Sequence, residues 1–251
     1  MESENYKIYN GDCFEIMQKL IDDGVKVDHI ICDPPYNIDI ADWDNDFDFE
    51  KACELCYKLL KNNGNLIIFN GWSGVCNTIN LFSKKFKLMN WIVWDRIKGR
   101  GAKKNFVSTR EDILWFSNAE EPTFHKLQSN IKKATAGMGE KNGEENRTLS
   151  NVWSDISPIV PWSQEKNSHP SQKPIELMER CVNIWTNPGE VILDFTMGSG
   201  STGRAALNCH RKFIGIERDK GWFNVAKERL EDTTLYNQSN QDEELLDDFN
   251  F

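Results

Sequence analysis

Several things are missing from this chain of 251 residues, and each absence removes a class of protein. No stretch of about 18 apolar residues occurs, so no membrane-spanning helix is expected. The opening MESENYKIYNGD has no basic start and no apolar core, so no export signal is expected. The seven cysteines are odd in number and scattered, which fits free thiols in a reducing, cytoplasmic setting rather than a disulfide framework. Cys53 and Cys56 form a C-x-x-C, but no second pair stands near at zinc spacing. In a helical pattern i and i+3 share a face, so both are expected in the core. Asp39, Asp42, Asp44, Asp46 and Asp48 invite a calcium-loop reading. No twelve-residue frame starting at any of them has both Gly at position six and Glu at position twelve, so an acidic surface loop is expected instead. The four histidines are dispersed; His29 is expected packed within a strand and His169 shaping a turn. Internal repeats are absent, and so is basic excess: the net charge is −9, which taken alone argues against nucleic-acid binding.

What is present is an alternation of strand and helix signals, with 39% hydrophobic residues and nine Trp to build a core. Strands are expected at Tyr6 to Tyr9, Val27 to Cys32, Leu66 to Phe69, Trp91 to Trp94, Ile113 to Phe116, Val191 to Asp194 and Phe213 to Glu217. Helices are expected at Cys13 to Ile21, Phe47 to Leu60 (stopped by Asn62-Asn63-Gly64), Gly74 to Phe82, Pro174 to Trp185, Ser201 to Asn208 and Trp222 to Leu230. Such alternation predicts βαβ units and a doubly wound, mostly parallel α/β sheet. The segment 118–168, with its aperiodic AGMGEKNGEEN, interrupts the pattern and reads as a functional insert. The organisation expected is residues 1–117 as one half of a domain, 118–168 as a variable insert, 169–231 as the other half, and an acidic, disordered tail at 232–251.

Two stretches carry chemistry. Asp33-Pro34-Pro35-Tyr36 closes the apolar run Val27 to Cys32; prolines end a strand, but a plain turn needs neither the preceding acid nor the following aromatic. Gly198-x-Gly200-x-x-Gly203 lies between a strand and a helix, and Glu217 ends the next strand, where a ribose-binding acid belongs. A dinucleotide or S-adenosylmethionine would suit this layout. A dinucleotide site normally opens its domain, yet fewer than about 40 residues follow Glu217, too few for a second mononucleotide-binding half. Asp194, just before the loop, would repel a pyrophosphate and suits an ammonium group.

With DPPY early, DFTMGSGSTG late, Asn10-Gly11-Asp12 before a helix, His169-Pro-Ser-Gln-Lys-Pro174 before another and Phe106-Val-Ser-Thr-Arg-Glu-Asp-Ile-Leu-Trp-Phe116 between, the sequence resembles the beta group of DNA amino-methyltransferases over residues 5 to 231. It departs from that group's frequent Asp-Pro-Phe in having Asp194-Phe195-Thr196. The resemblance implies a Rossmann-like methyltransferase fold with circularly permuted motif order, with 1–117 as the catalytic half, 118–168 as the variable target-recognition insert and 169–231 as the cofactor-binding half. It implies S-adenosylmethionine as cofactor, with Asp12, Asp33, Lys173, Asp194, Phe195, Thr196, Gly198, Ser199, Gly200, Ser201, Thr202 and Glu217 around it. It implies base flipping of a DNA target into a pocket formed by Asp33, Pro34, Pro35 and Tyr36. Asp33 and the Pro34 carbonyl would accept both N–H groups of the amino target, and Tyr36 would present a flat face to the base. Cytosine-N4 members often have Ser in place of Asp33, so adenine N6 is the expected target; cytosine N4, or a non-catalytic DNA-binding partner that keeps the fold, are the alternatives. The group also implies a possible homodimer and a cognate restriction endonuclease as partners. Within this frame the run Arg96 to Lys104 (RIKGRGAKK), with Lys126, Lys132 and Lys133, gains a meaning: Arg96, Lys98, Arg100, Lys103, Lys104, Lys132 and Lys133 are expected to hold DNA phosphates. Trp153 and Trp162 are expected to pack on the main domain rather than enter DNA.

Overall fold

The structure is a computed structural model that describes residues 3–36, 47–100, 104, 106–132, 146–163 and 165–232. The chain runs β1 (Tyr6–Asn10), α1 (Cys13–Asp22), β2 (Val27–Cys32), α2 (Phe49–Leu59), β3 (Leu60–Asn70), α3 (Val75–Phe82), β4 (Lys87–Arg100) and β5 (Ser108–Ser117). It continues through β6 (Gln128–Lys132), β7 (Asn146–Thr148), β8 (Val152–Trp153), α4 (Ile175–Trp185), β9 (Val191–Asp194), α5 (Ser201–Asn208), β10 (Lys212–Glu217) and α6 (Lys220–Glu231). The main sheet has eight strands in the order β1-β10-β9-β2-β3-β5-β4-β8. All are parallel except β5, which runs against both its neighbours.

The strand sequences explain the layering. Parallel strands covered on both faces read as continuous apolar runs, and alternate residues then feed opposite cores. Ile31, Ile67, Phe69 and Ile113 enter the core with α4, α5 and α6. Ile30, Cys32, Leu66, Ile68 and Leu114 enter the other, with α1, α2 and α3. The sheet is therefore doubly wound. From β2 the chain leaves through α2 to β3; from β9 it leaves through α5, on the other face, to β10. The crevice between β2 and β9, which are direct neighbours, is the topological switch point where such sheets hold ligands.

Three local outcomes refine the sequence expectations. Asn62-Asn63-Gly64 does not separate a helix from a strand: α2 ends at Leu59 and β3 starts at Leu60. Those residues form an irregularity within β3, between the pairs Val27↔Leu60 and His29↔Asn65. Gly64 is needed there, because a Cβ would sit 2.5 Å from the Asp28 carbonyl oxygen. The insert, in turn, is not wholly separate: β6 and β7 make a small sheet, but β8 adds to the main sheet beside β4. Trp153 is buried against Trp185, with ring centroids 6.1 Å apart, and Trp94 Nε1 donates to the Ile156 carbonyl at 2.9 Å. Trp162, by contrast, is 80% exposed, against the expectation of packing, in a turn at Pro161-Trp162. Finally, Cys53 and Cys56 are buried core residues, and His29 is buried with Nε2 2.7 Å from Glu190 Oε2. The acidic loop Asp39 to Asp46 and the tail after Asp232 lie outside the described residues; Asp48 caps α2 by accepting from Lys51 N.

Candidate active site and cofactor cavity

A cavity of about 680 Å³ opens at the switch point, lined along one side by Asp33, Pro34, Pro35, Tyr36, Glu111 and Lys173 and along the other by Asp12, Asp194 to Ser199, Ser201, Thr202 and Glu217. The strand register explains how residues so far apart in sequence meet. Asp33 follows β2 and Asp194 ends β9, its neighbour. Glu217 ends β10, next to β9, and Asn10-Gly11-Asp12 leaves β1, next to β10. All these carboxyl ends point one way. Because β5 runs backwards, its beginning, with Glu111, arrives at the same edge.

The glycine-loop side is built largely from backbone held by its own acids. Gly198 and Gly200 have φ of 51° and 79°, a region that side chains rarely enter. Gly203 allows α5 to lie on β10: a Cβ there would come 2.6 Å from Phe213 Cε1. Asp194 accepts from Thr196 N at 3.0 Å and from Thr202 Oγ1 at 2.6 Å. Glu217 accepts from Gly198 N at 3.0 Å and from Asp219 N at 2.7 Å. Asp12 caps α1 through Phe14 N and Glu15 N. Each acid thus fixes loop geometry with part of its acceptor capacity, and a carboxylate has about four lone-pair sites, so room remains for a ligand. Burial pushes the Asp194 carboxyl up to about 7, with nearby Asp33 and Glu217 adding to the rise. Burial likewise raises Glu217. Thr196 Oγ1 is buried with no hydrogen-bond partner. Phe195 is buried and stacks on Phe47 at 6.3 Å. Ser201 Oγ donates to the Lys173 carbonyl at 2.9 Å, and Arg229 reaches both Ser201 Oγ (2.8 Å) and the Ser199 carbonyl (3.3 Å), so both serines tie the loop to its surroundings.

The DPPY side is built from charged side chains. The Tyr36 hydroxyl donates to Asp33 Oδ1 at 2.5 Å, and Lys173 Nζ donates to Asp33 Oδ2. Lys173 Nζ also lies 3.2 Å from Glu111 Oε2, within pairing range, yet Oε2 makes no aligned hydrogen bond. Arg96 continues the series, 3.2 Å from Glu111 Oε1, and donates to the Ser108 carbonyl at 3.3 Å. Burial raises the Asp33 carboxyl, with the Lys173 ammonium opposing it. For Lys173, burial works against the charge, but the two carboxylates outweigh it and raise its pKa, so it stays ammonium. His169, mostly buried, is pushed down to about 4 by burial and then by Lys173, and is neutral at pH 7. Its ring meets Trp222 edge-on, and a Cβ at Gly198 would come 3.1 Å from its Nε2, so it props the glycine loop.

The sequence-predicted catalytic and cofactor residues, Lys173 included, therefore line one cavity, except Gly200, which lies against α6, where a Cβ would come 3.0 Å from Ala226 Cβ. Lys173, expected beside the cofactor, is seated against Asp33. The expected phosphate-binding run divides. Arg96 is turned inward, its side chain 13% exposed, because Ile92, Trp94 and Arg96 share one face of β4 and that face is core. Lys104 is exposed; the side chains of Lys98, Arg100, Lys103, Lys132 and Lys133 lie outside the described part of the structure. Sequence reasoning missed Glu111. The available signal was a charged triplet, Arg110-Glu111-Asp112, running straight into the buried run Ile113 to Phe116.

The sequence profile of the DNA methylase family matches residues 27–228. The type II methyltransferase M1.MboII of Moraxella bovis is 30% identical over 249 residues, covering 88% of this chain and 94% of that protein. The DNA adenine methyltransferase YhdJ of Escherichia coli K12 is 30% identical over 254 residues, covering 93% of this chain and 85% of that protein. Among solved structures, the M1.HpyAVI–SAM complex superposes with a TM-score of 0.65 at 31% identity, covering 90% of this chain and all of that one. With the profile spanning most of the chain and relatives at 30% identity along nearly its whole length, the chain belongs to the DNA methylase family, the N6/N4 amino-methyltransferases.

Proposed function

We propose that this chain transfers a methyl group from S-adenosylmethionine to the N6 amino group of adenine in DNA. The observation that carries this reading is the placement of Asp33, a partly buried carboxylate held by Tyr36 and Lys173, at one side of a cavity whose other side is the glycine loop. The name of YhdJ and the cofactor in the M1.HpyAVI structure support it.

The residues present fit the cofactor. Asp194 is a buried acid that a cationic ligand would keep ionised, Thr196 Oγ1 is a buried hydroxyl without a partner among the described residues, and Gly198 and Gly200 give the loop its left-handed turns beside the cavity. Asp12, Phe195, Ser199, Thr202 and Glu217 complete the cradle in this reading. When bound, the cofactor supplies an electrophilic methyl group. The protein must make the amino nitrogen a nucleophile. Its lone pair is delocalised into the ring, and acceptors placed on both N–H groups favour a more pyramidal nitrogen. Asp33 is one acceptor; its oxygens keep lone pairs beyond those taken by Tyr36 and Lys173. The Pro34 carbonyl is the other. Tyr36 gives the base a flat neighbour, and Pro35 fixes the turn. Asp33 is also the nearest base for the proton that the amino group sheds. Positioning and fixed charges, rather than a covalent enzyme intermediate, then supply the rate.

The exposed Lys104 and the lysines and arginine near it in sequence are read as phosphate contacts. A cognate restriction endonuclease is read as the biological counterpart, because M1.MboII is named a type II enzyme. Homodimerisation rests on the family resemblance and is checked by sedimentation. No described helix is long and apolar enough to cross a membrane; a cytoplasmic location is read from the proposed DNA substrate. The test of the whole reading is incubation of purified protein with labelled S-adenosylmethionine and mixed-sequence DNA, followed by nucleoside analysis. N6-methyladenine, absent with Asp33→Ala, is expected; N4-methylcytosine would overturn the choice of base, and no label in DNA would overturn the substrate.

A further inference from the structure

Asp33 is the end of a chain of alternating charges. Lys173, on the approach to α4, contacts it; Glu111 of β5 contacts Lys173; Arg96 of β4 contacts Glu111. Side-chain exposures are 22% for Asp33, 7% for Lys173, 15% for Glu111 and 13% for Arg96, so solvent does little to screen any of the four. Two acids and two bases cancel. Buried charges tolerate each other only when so compensated, and removing one redistributes the rest.

We propose that Glu111 is a positioning residue for methyl transfer: Lys173 keeps Asp33 ionised, and Glu111, by sharing that ammonium, leaves Asp33 available as an acceptor. This rests on the reading of Asp33 as the acceptor for the target amino group. Without Lys173, a carboxyl buried like Asp33 would hold its proton near neutral pH and offer an O–H donor in place of a lone pair. With Lys173 to itself, Asp33 would be ionised but its lone pairs drawn into a tight ion pair. Glu111 at 3.2 Å pulls the ammonium partly away. Arg96, on the opposite oxygen of Glu111, keeps that pull partial. The other groups facing this pair are the Tyr36 hydroxyl on Asp33, Asp194 across the crevice, neutral His169 behind Lys173, and the rings of Tyr36 and Phe69 within 6.0 Å of the ammonium.

The arrangement predicts shifts of opposite sign. Glu111→Gln removes a negative neighbour of Asp33 and returns Lys173 to it, so the Asp33 pKa falls. Lys173→Met removes the stabilising cation, so it rises. The experiment titrates Asp33 by carbon-13 NMR of protein labelled at the Asp carboxyls, with Asp33→Asn assigning the signal, and measures kcat for DNA methylation against pH on the same proteins. Expected are an Asp33 midpoint and an acid limb of kcat that both move down by about one pH unit in Glu111→Gln and up by at least about one in Lys173→Met. Glu111→Asp, which keeps the charge, should hold both near their wild-type pH while lowering kcat. An unmoved Asp33 midpoint in folded Glu111→Gln, whatever happens to kcat, overturns the proposal; binding of S-adenosylhomocysteine and thermal melting verify the fold. If wild-type protein methylates no DNA, the functional reading fails, and the NMR titration still decides the charge-sharing on its own.

Discussion

The two sides of the cavity are made in different ways. The glycine-loop side is one contiguous stretch, 194–203, shaped by backbone conformation and stapled by acids at its own ends or at the end of the adjacent strand. The DPPY side borrows one charged group each from β4, β5 and the lead-in to α4, and nothing but the tertiary fold brings them together. The first kind of site tolerates little change in backbone; the second tolerates little change in charge. A cofactor common to a whole family suits the first. A nucleophile that must be activated at one atom suits the second.

That contrast yields measurements that would sharpen or break it. The largest effect is expected from Asp33→Ala: kcat should fall by about 10²–10³-fold, the scale seen when one preorganised hydrogen-bonding partner is removed, while binding of S-adenosylhomocysteine stays within a few-fold in calorimetry. If cofactor binding collapses as well, the two sides are not separable. Next is the pH dependence of cofactor affinity. Burial pushes the Asp194 carboxyl up to about 7. A cationic ligand favours its ionised form and lowers that pKa, so affinity is full above pH 7 and should weaken on acidification by up to about tenfold per pH unit until the bound-state pKa is reached. Asp194→Asn should flatten this profile. Smaller again is the difference between two basic residues. Arg96→Gln is expected to reduce kcat about tenfold with the salt dependence of DNA binding unchanged. Lys104→Gln should leave kcat near wild type and, if it holds one phosphate, reduce the slope of log affinity against log salt by about 0.9. Equal salt slopes for wild type and Lys104→Gln would remove Lys104 from the interface. The smallest effect concerns stability alone: Gly203→Ala places a methyl group against Phe213 and should cost about 1–3 kcal/mol, read as a lowered denaturation midpoint.

The same contrast explains what was legible beforehand. Strand and helix alternation, the glycine loop and DPPY are local patterns, so their positions followed from period and composition. Glu111 lay just ahead of the strand expected at Ile113 to Phe116 and drew no notice, because its importance depends on β5 starting earlier, at Ser108, and running backwards to deliver its first residues to the ligand edge. Arg96 was grouped with its basic neighbours, since a string of charges does not say which of them share a face with Trp94. Lys173 was expected at the cavity and lines it; its ion pair with Asp33 was not readable, because it depends on how the entry to α4 meets the end of β2. The Asn62-Asn63-Gly64 turn failed for a different reason, as a bulge that keeps pairing on both sides looks in sequence like a break.

The pair β6 and β7 joins the domain through a narrow neck, closed where Leu149 N donates to the Leu127 carbonyl at 2.9 Å, just before β8 docks beside β4. Such a neck is a natural suture. Cuts at 128 and 148 fall outside Arg96, Glu111 and Lys173, the charges linked to Asp33. If the insert reads the DNA site, as the family resemblance implies, a segment exchanged at this neck should change the site recognised and leave the methyl-transfer chemistry in place.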